Sequence, residues 1–357
     1  MRAILGFLAG ALGLVLVIPA ALLLLPFWFV GTLVEGLRRL LAPKPLPWHE
    51  LIEFHPRMGW KPRPDASAHA LDYGGDTYQF TTDADGWRGR ETLEQSDVVV
   101  FGDSHAFGCG VDDRHFFADL LDDVRIKAIG SPAYSMVQPV LWMERLAPHL
   151  RGKLVIWLVC LGNDLDDSVH PGLHEYRAPF VRRSHESEGW EIATDHVDPS
   201  RWTITSREGS LDSLIEICSS GYASERAFAA ADYLIGRAHD ACESAGARLV
   251  VMTIPELSPV ARRYLARSVP ASASAARFDE DLPDRMFDQM CDRRGVRFVA
   301  LKDHLETADY LENDFHWNPG GHRRVAELIG RLQREASWNE EPLTFRPPHD
   351  VPAEVSG

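Results

Sequence analysis

Four short segments carry residue types that could perform acyl-transfer chemistry. An apolar run, Val98-Val99-Val100-Phe101, leads straight into Gly102-Asp103-Ser104-His105. A serine there stands at the carboxyl end of a strand, where glycine accommodates a tight turn. A helix that follows such a turn directs backbone N–H groups toward it, which suits an oxyanion. A second apolar run ends at Ile129-Gly130, and a third runs into Leu161-Gly162-Asn163-Asp164. Near the C-terminus lies Asn313-Asp314-Phe315-His316-Trp317-Asn318-Pro319-Gly320-Gly321-His322. Gly-Asp-Ser alone is ordinary turn composition. The four segments together, in the order Ser, Gly, Asn, Asp and His, make a far more specific pattern.

The elements that must position these residues are legible from hydropathy. Apolar runs at 98–101, 126–129, 154–160, 248–254 and 296–301 read as buried parallel strands. Helical patterns lie around 113–123, 137–149, 222–245, 276–294 and 319–335. Strands alternating with helices predict an α/β domain of the three-layer, α/β/α flavodoxin-like kind, with a five-stranded parallel sheet. In such a sheet the loops at the carboxyl ends converge on one rim, and the four segments all follow predicted strands. Residues 165–220 break the rhythm after the third strand and read as a specificity insertion on the ligand side. Residues 67–95 read as a small β-hairpin or lid with a turn at Asp85-Gly86. The proline-rich stretch 42–66 reads as a stiff linker.

In these motifs the chain resembles the SGNH (GDSL-like) hydrolase family, over about residues 97–335. The resemblance implies that Ser104 is the nucleophile, Gly130 and the Asn163 amide join the Ser104 N–H in an oxyanion hole, and His316 is the base. The commonest form of the family's last block is D-x-x-H, which would put Asn313 at the acid position. Here the spacing is D-x-H followed by Trp-Asn, as in a branch that includes proteins associated with polysaccharide acetylation. Residues two apart in extended chain point the same way, so Asp314 can share a face with His316. Asn313 could orient an imidazole but would not offset its charge; Asp303 and Asp309 are the other acids nearby. The resemblance implies a serine esterase that passes through an acyl-enzyme on an O-acylated glycan or lipid. Its alternatives are an O-acyltransferase acting on polysaccharide, and a non-catalytic carbohydrate-binding domain of the same fold.

Composition narrows the rest. The chain has 357 residues, 45% of them hydrophobic, and a formal net charge of −15. Such acidity argues against a nucleic-acid partner, which needs clustered Lys and Arg, and against broad adhesion to an anionic membrane surface. Five dispersed cysteines suit free thiols better than a disulfide framework. No clustered metal ligands are visible, and no cofactor motif occurs: there is no G-x-x-x-x-G-K-[ST] loop, no H-E-x-x-H and no G-x-S-x-G elbow. Cys109 reads as a buried thiol, His105 as a pocket wall, and the D-x-x-H strings at Asp112–His115 and Asp167–His170 as decoys. Ala3 to Val34 carries no charge, long enough for a transmembrane helix anchored in a bacterial inner membrane, with Pro19 and Pro26 leaving a kinked helix or hairpin as the second form. The domains then run 1–41 anchor, 42–96 linker and small β element, 97–336 catalytic domain and 337–357 tail. Arg38, Arg39 and Lys44 favour a cytoplasmic catalytic domain by the positive-inside rule. An outward-facing domain is the common arrangement for such an anchor, and the sequence does not choose between them.

Overall fold

The computed structural model describes residues 45–46, 48–173, 176–184, 188–198, 211–272 and 274–338. The expected membrane-spanning segment lies outside the described residues; among those described, no helix is long and apolar enough to cross a membrane. Two antiparallel hairpins come first: β1 (Ile52–His55) with β2 (Gly59–Pro62), and β3 (Ser67–Leu71) with β4 (Thr77–Thr81). There follow β5 (Val98–Gly102), α1 (Ser104–Phe107), β6 (Ile126–Gly130), α2 (Val137–Leu146), β7 (Leu154–Cys160) and α3 (Asp164–Asp167). Two small hairpins come next, β8 (Gly172–Leu173) with β9 (Tyr176–Arg177) and β10 (Phe180–Arg183) with β11 (Trp190–Ala193). The chain then forms α4 (Leu211–Ile217), α5 (Tyr222–Ala245), β12 (Arg248–Ile254), α6 (Pro259–Ala271), α7 (Leu282–Asp292), β13 (Arg297–Ala300) and α8 (Pro319–Trp338).

Five strands form one parallel sheet in the order β13-β12-β7-β5-β6. This is the α/β class and sheet that the apolar runs predict. Side chains along each strand alternate between two cores. Val99, Phe101, Val155, Trp157 and Val159 pack with α2, α5 and α7, through residues such as Leu141, Leu234 and Phe287. Val98, Val100, Ile156, Leu158 and Met252 pack with α8, through Val325, Ile329 and Leu332. Burial on both faces is why the strands read as unbroken apolar runs. From β5 the chain moves outward to β6 and then back across β5 to β7. That reversal opens a crevice at the carboxyl ends of these strands.

Three expectations need correction, and one helix was not anticipated. The 42–66 segment is not simply a linker: it contains the β1–β2 hairpin, whose Trp60 is fully buried. Trp60 Nε1 donates to Pro132 O at 2.9 Å, and Tyr134 Oη donates to Trp60 O at 2.8 Å. The compact unit accordingly begins at Pro45 rather than at residue 97. In the second hairpin the turn spans 72–76, while Asp85-Gly86 makes a separate turn closed by Gly86 N–H to Asp83 O. The expected helix at 113–123 is two 3-10 turns, Asp113–His115 and Phe117–Asp119. Phe116, Phe117 and Ala118 are all buried, and three successive residues cannot share one face of an α-helix. Lastly, α6 had no signal in hydropathy because it buries only Ala261 and Leu265. Its start is instead marked by Ser258, whose Oγ accepts from Ala261 N, and by Pro259 in the first turn.

Candidate active site

Ser104 begins α1 directly after β5. Asp103 caps that turn, its Oδ1 accepting the His105 N–H at 2.9 Å. The helix is a single turn that ends at Gly108 with φ 78°, so individual N–H groups, and not a macrodipole, are what it offers an anion. Two glycines make room for the turn. A Cβ on Gly102 would stand 3.0 Å from the Ala106 Cβ, and one on Gly130 would stand 2.7 Å from Asp103 O and 2.8 Å from Phe107 N. Gly102 and Gly130 are in register on adjacent strands. Gly130 is therefore required sterically, beneath the backbone that carries Ser104. Arg88, buried among the same elements, donates to Gly108 O, Val111 O and Asp113 Oδ1. Nothing in the spacing of the motifs singles Arg88 out; a buried arginine spending its donors on carbonyls is visible only in three dimensions.

The loop 310–317 supplies the partners. It is closed by an antiparallel bridge between Tyr310 and Trp317 and by Leu311 N–H to His316 O at 3.0 Å. His316 Nδ1 lies 2.7 Å from Asp314 Oδ1, and His316 Nε2 lies 2.7 Å from Ser104 Oγ. A carboxylate at Nδ1 fixes the proton there, leaving Nε2 to accept from the serine hydroxyl. Asp314 also accepts the N–H groups of Phe315, His316 and Tyr73, the last at 2.8 Å. Asn313 is exposed and lies against the 72–76 turn, its Cβ 3.1 Å from where Gly74 would carry a side chain. Asp309 pairs with Arg324 at 3.0 Å. Burial opposes the charge on Asp314, but His316 and the amide donors outweigh it and hold the carboxyl well below its ordinary range. Burial lowers the His316 pKa, and the Asp314 carboxylate more than reverses this, so the imidazole is raised above 6.5.

The loop between β7 and α3 carries Asn163. Asn163 Nδ2 donates to Asp164 Oδ1 at 3.2 Å and to Asp167 Oδ2 at 3.0 Å. Burial, followed by the charge of Asp103, raises Asp164 well above its ordinary range. In the Asp167–His170 string the side chains take different partners: Asp167 accepts from Asn163, and His170 Nε2 sits 3.2 Å from Asp166. The Asp112–His115 string is likewise structural, with Asp112 accepting the Gln79 N–H at 2.9 Å.

Behind the triad the fold assembles residues that motif spacing did not connect. Glu256, in the loop after β12, is buried and pushed up to about 7 by its desolvation. Its Oε1 lies 3.6 Å from Cys160 Sγ, and its Oε2 has no hydrogen-bond partner. Asp103, His105 and Cys160 bring ligand atoms within 4.8 Å of one another, a cluster of types the linear sequence does not show. Burial and then the Glu256 charge raise the Cys160 thiol well above its ordinary range, so it stays protonated and is no rival nucleophile. Burial pushes Cys109 up to about 12 with the same consequence. All five cysteines are free and buried. His105 packs its ring 5.0 Å from His316 and 4.8 Å from Trp317. Ala133, in the loop after β6, has φ 62°, a conformation uncommon for a residue with a side chain.

No family model and no curated protein matches this chain. Solved structures similar to it include Est24, a carbohydrate acetylesterase from Sinorhizobium meliloti, at 13% identity over 67% of this chain and 100% of that one, with a TM-score of 0.38. They also include an aryl esterase of M. smegmatis, at 10% identity over 67% and 98%, with a TM-score of 0.40. A GDSL-like lipase from Bacteroides thetaiotaomicron matches at 12% identity over 70% and 92%, with a TM-score of 0.39. Likeness at this level defines no shared substrate.

Proposed function

We propose that this chain is a serine esterase that cleaves an O-acyl ester through an acyl-enzyme. The observation that carries the reading is the unbroken line from Asp314 through His316 to Ser104, two contacts of 2.7 Å each. Ser104 is partly exposed while Asp314 and His316 are buried, the arrangement a nucleophile with a shielded base requires. His316 Nε2 takes the hydroxyl proton as Oγ attacks the acyl carbon. Asp314 stabilises the imidazolium and holds the ring. The oxyanion is met by the N–H groups of Ser104 and Gly130 and by the Asn163 amide turned from Asp164. Collapse expels the alcohol, which receives the proton from Nε2, and water then resolves the acyl-serine. Transfer to an acceptor alcohol would differ only in that last step.

The substrate class is an O-acylated glycan or lipid, and the uncharged stretch from Ala3 to Val34, long enough to cross a bilayer, supports work at a membrane. A fluorophosphonate probe tests the chemistry directly. It should label the wild type on Ser104 and should not label Ser104→Ala, with esterase activity lost alongside. Labelling that survives in Ser104→Ala would sink the assignment. Membrane fractionation of the full chain, against one starting at Pro45, tests the location.

A further inference from the structure

The turn at Asp72–Asp76 belongs to a hairpin far from the catalytic loop in sequence, yet it reaches the triad twice. The Tyr73 N–H donates to Asp314 Oδ2 at 2.8 Å, across 241 residues of chain. The Tyr73 ring stacks on His316, centroids 6.1 Å apart and planes 13° from parallel, with Phe315 edge-on to it at 5.9 Å. Tyr73 is nevertheless 68% exposed. An aromatic ring this open is not there to fill a core. The turn itself is built for the approach: Asp72 Oδ1 accepts the Asp76 N–H at 2.8 Å, Gly75 takes φ 87°, and Gly74 leaves only 3.1 Å between a would-be Cβ and Asn313.

Chemistry decides which part of a substrate meets this ring. The leaving oxygen must come within hydrogen-bond reach of His316 Nε2 to take its proton. The alcohol attached to that oxygen therefore lies close to the imidazole on which the Tyr73 ring stacks. We propose that the 72–76 turn is a working part of the active site. The Tyr73 amide positions Asp314, and the open Tyr73 ring is the platform for a leaving alcohol that presents a flat ring face, either the C–H face of a sugar or an aryl group. This rests on the esterase reading and deepens it. Carbohydrate and aryl alcohols share the feature recognised, an apolar face that packs on an aromatic ring.

The test separates ring from amide. In the full chain, kcat and KM are measured for Tyr73→Ala and Tyr73→Phe with a 6-O-acetyl glucopyranoside, phenyl acetate and ethyl acetate. Tyr73→Ala should lower the preference for a ring ester over ethyl acetate about tenfold, mainly through KM, while Tyr73→Phe retains it. A preference lost only on the sugar ester assigns the platform to glycans, and one lost only on phenyl acetate assigns it to aryl alcohols. Equal losses on all three esters overturn the platform. For the amide, the five turn residues are replaced by Asn-Gly, which suits a two-residue hairpin closed by the Leu71–Thr77 pair. Tyr73→Pro, which removes the donor together with the ring and is read against Tyr73→Ala, which removes the ring and keeps the donor, is the second variant. Both should lower kcat about tenfold or more, with the ring-ester preference in Tyr73→Ala as the contrast. Both should also broaden the His316 Nδ1–H proton resonance through faster exchange, a signal that needs no turnover. An unchanged resonance and kcat in whichever variant folds overturns the positioning role. Absence of turnover and of probe labelling in the wild type would overturn the esterase reading itself, while the resonance still decides the part played by the amide.

Discussion

Glu256 and Gly162 occupy one another's space: a Cβ built on Gly162 would lie 1.9 Å from Glu256 Oε1 and 2.7 Å from its Cδ. The glycine that opens the Asn163 loop thus leaves the space that a buried carboxyl from the next strand's loop fills. This constraint is steric and independent of any oxyanion role.

Gly162→Ala should therefore destabilise the fold and disturb Asn163 together. Overpacking of a buried site costs about 1–3 kcal/mol. Shortening the obstruction should relieve it, so that Gly162→Ala costs measurably less in a Glu256→Ala background. Urea denaturation of the four members of this cycle checks the coupling. Additive effects would mean that Glu256 simply moves aside.

Glu256 also predicts a pH dependence of stability. Its carboxyl is raised from 4.5 to about 7 in the fold. Below 4.5 it is protonated in both states and costs nothing. Between 4.5 and about 7 the unfolded chain ionises first, so stability falls as pH rises, and the loss is complete above that window. Glu256→Gln should thus melt above the wild type at pH 8 and level with it near pH 4. Thermal melts at the two values decide this; a variant less stable at pH 8 would show that the ionised form is welcomed.

Catalysis should follow the protonation of His316. The base must be neutral, and the fold raises its pKa above 6.5. The kcat/KM profile should therefore climb with pH through a midpoint above the ordinary imidazole value. Asp314→Asn should cut turnover by about 10⁴ and move that midpoint down, because the charge that raises it is gone. Asn313→Ala, at an exposed position, should cost less than tenfold. Equal damage from the two substitutions would mean that Asp314 is not the acid.

The N-terminal boundary is testable by truncation. A chain starting at Pro45 keeps the whole compact unit and should be folded and active on small esters. One starting at Asp97 loses Trp60, Arg88 and the Tyr73 turn, three contacts to the loops around Ser104. Loss of a buried tryptophan alone costs about 3–5 kcal/mol, a large share of a domain's stability, so that chain should be insoluble or inactive. Full activity from the shorter chain would return the hairpins to the status of a linker.

The sequence by itself determined the sheet and the local chemistry. Strands buried on both faces must be continuous apolar runs, and a five-run α/β alternation admits few topologies. Asp314 and His316 are two residues apart, so the sequence alone keeps them close, but they meet across a bend and not along an extended strand, with Asp314 also accepting the Phe315 and His316 N–H groups. What only the tertiary structure decided is everything that depends on distance across the chain. The hairpins at 52–81 carry too few apolar residues to announce a core role, and Trp60 becomes buried only because the β6–α2 loop is there to receive it. Tyr73 meets Asp314, and Glu256 meets Gly162 and Cys160, through loops that come together at the sheet's carboxyl rim. Such meetings are set by the order in which strands are laid down in the sheet, which leaves no periodic trace in the sequence.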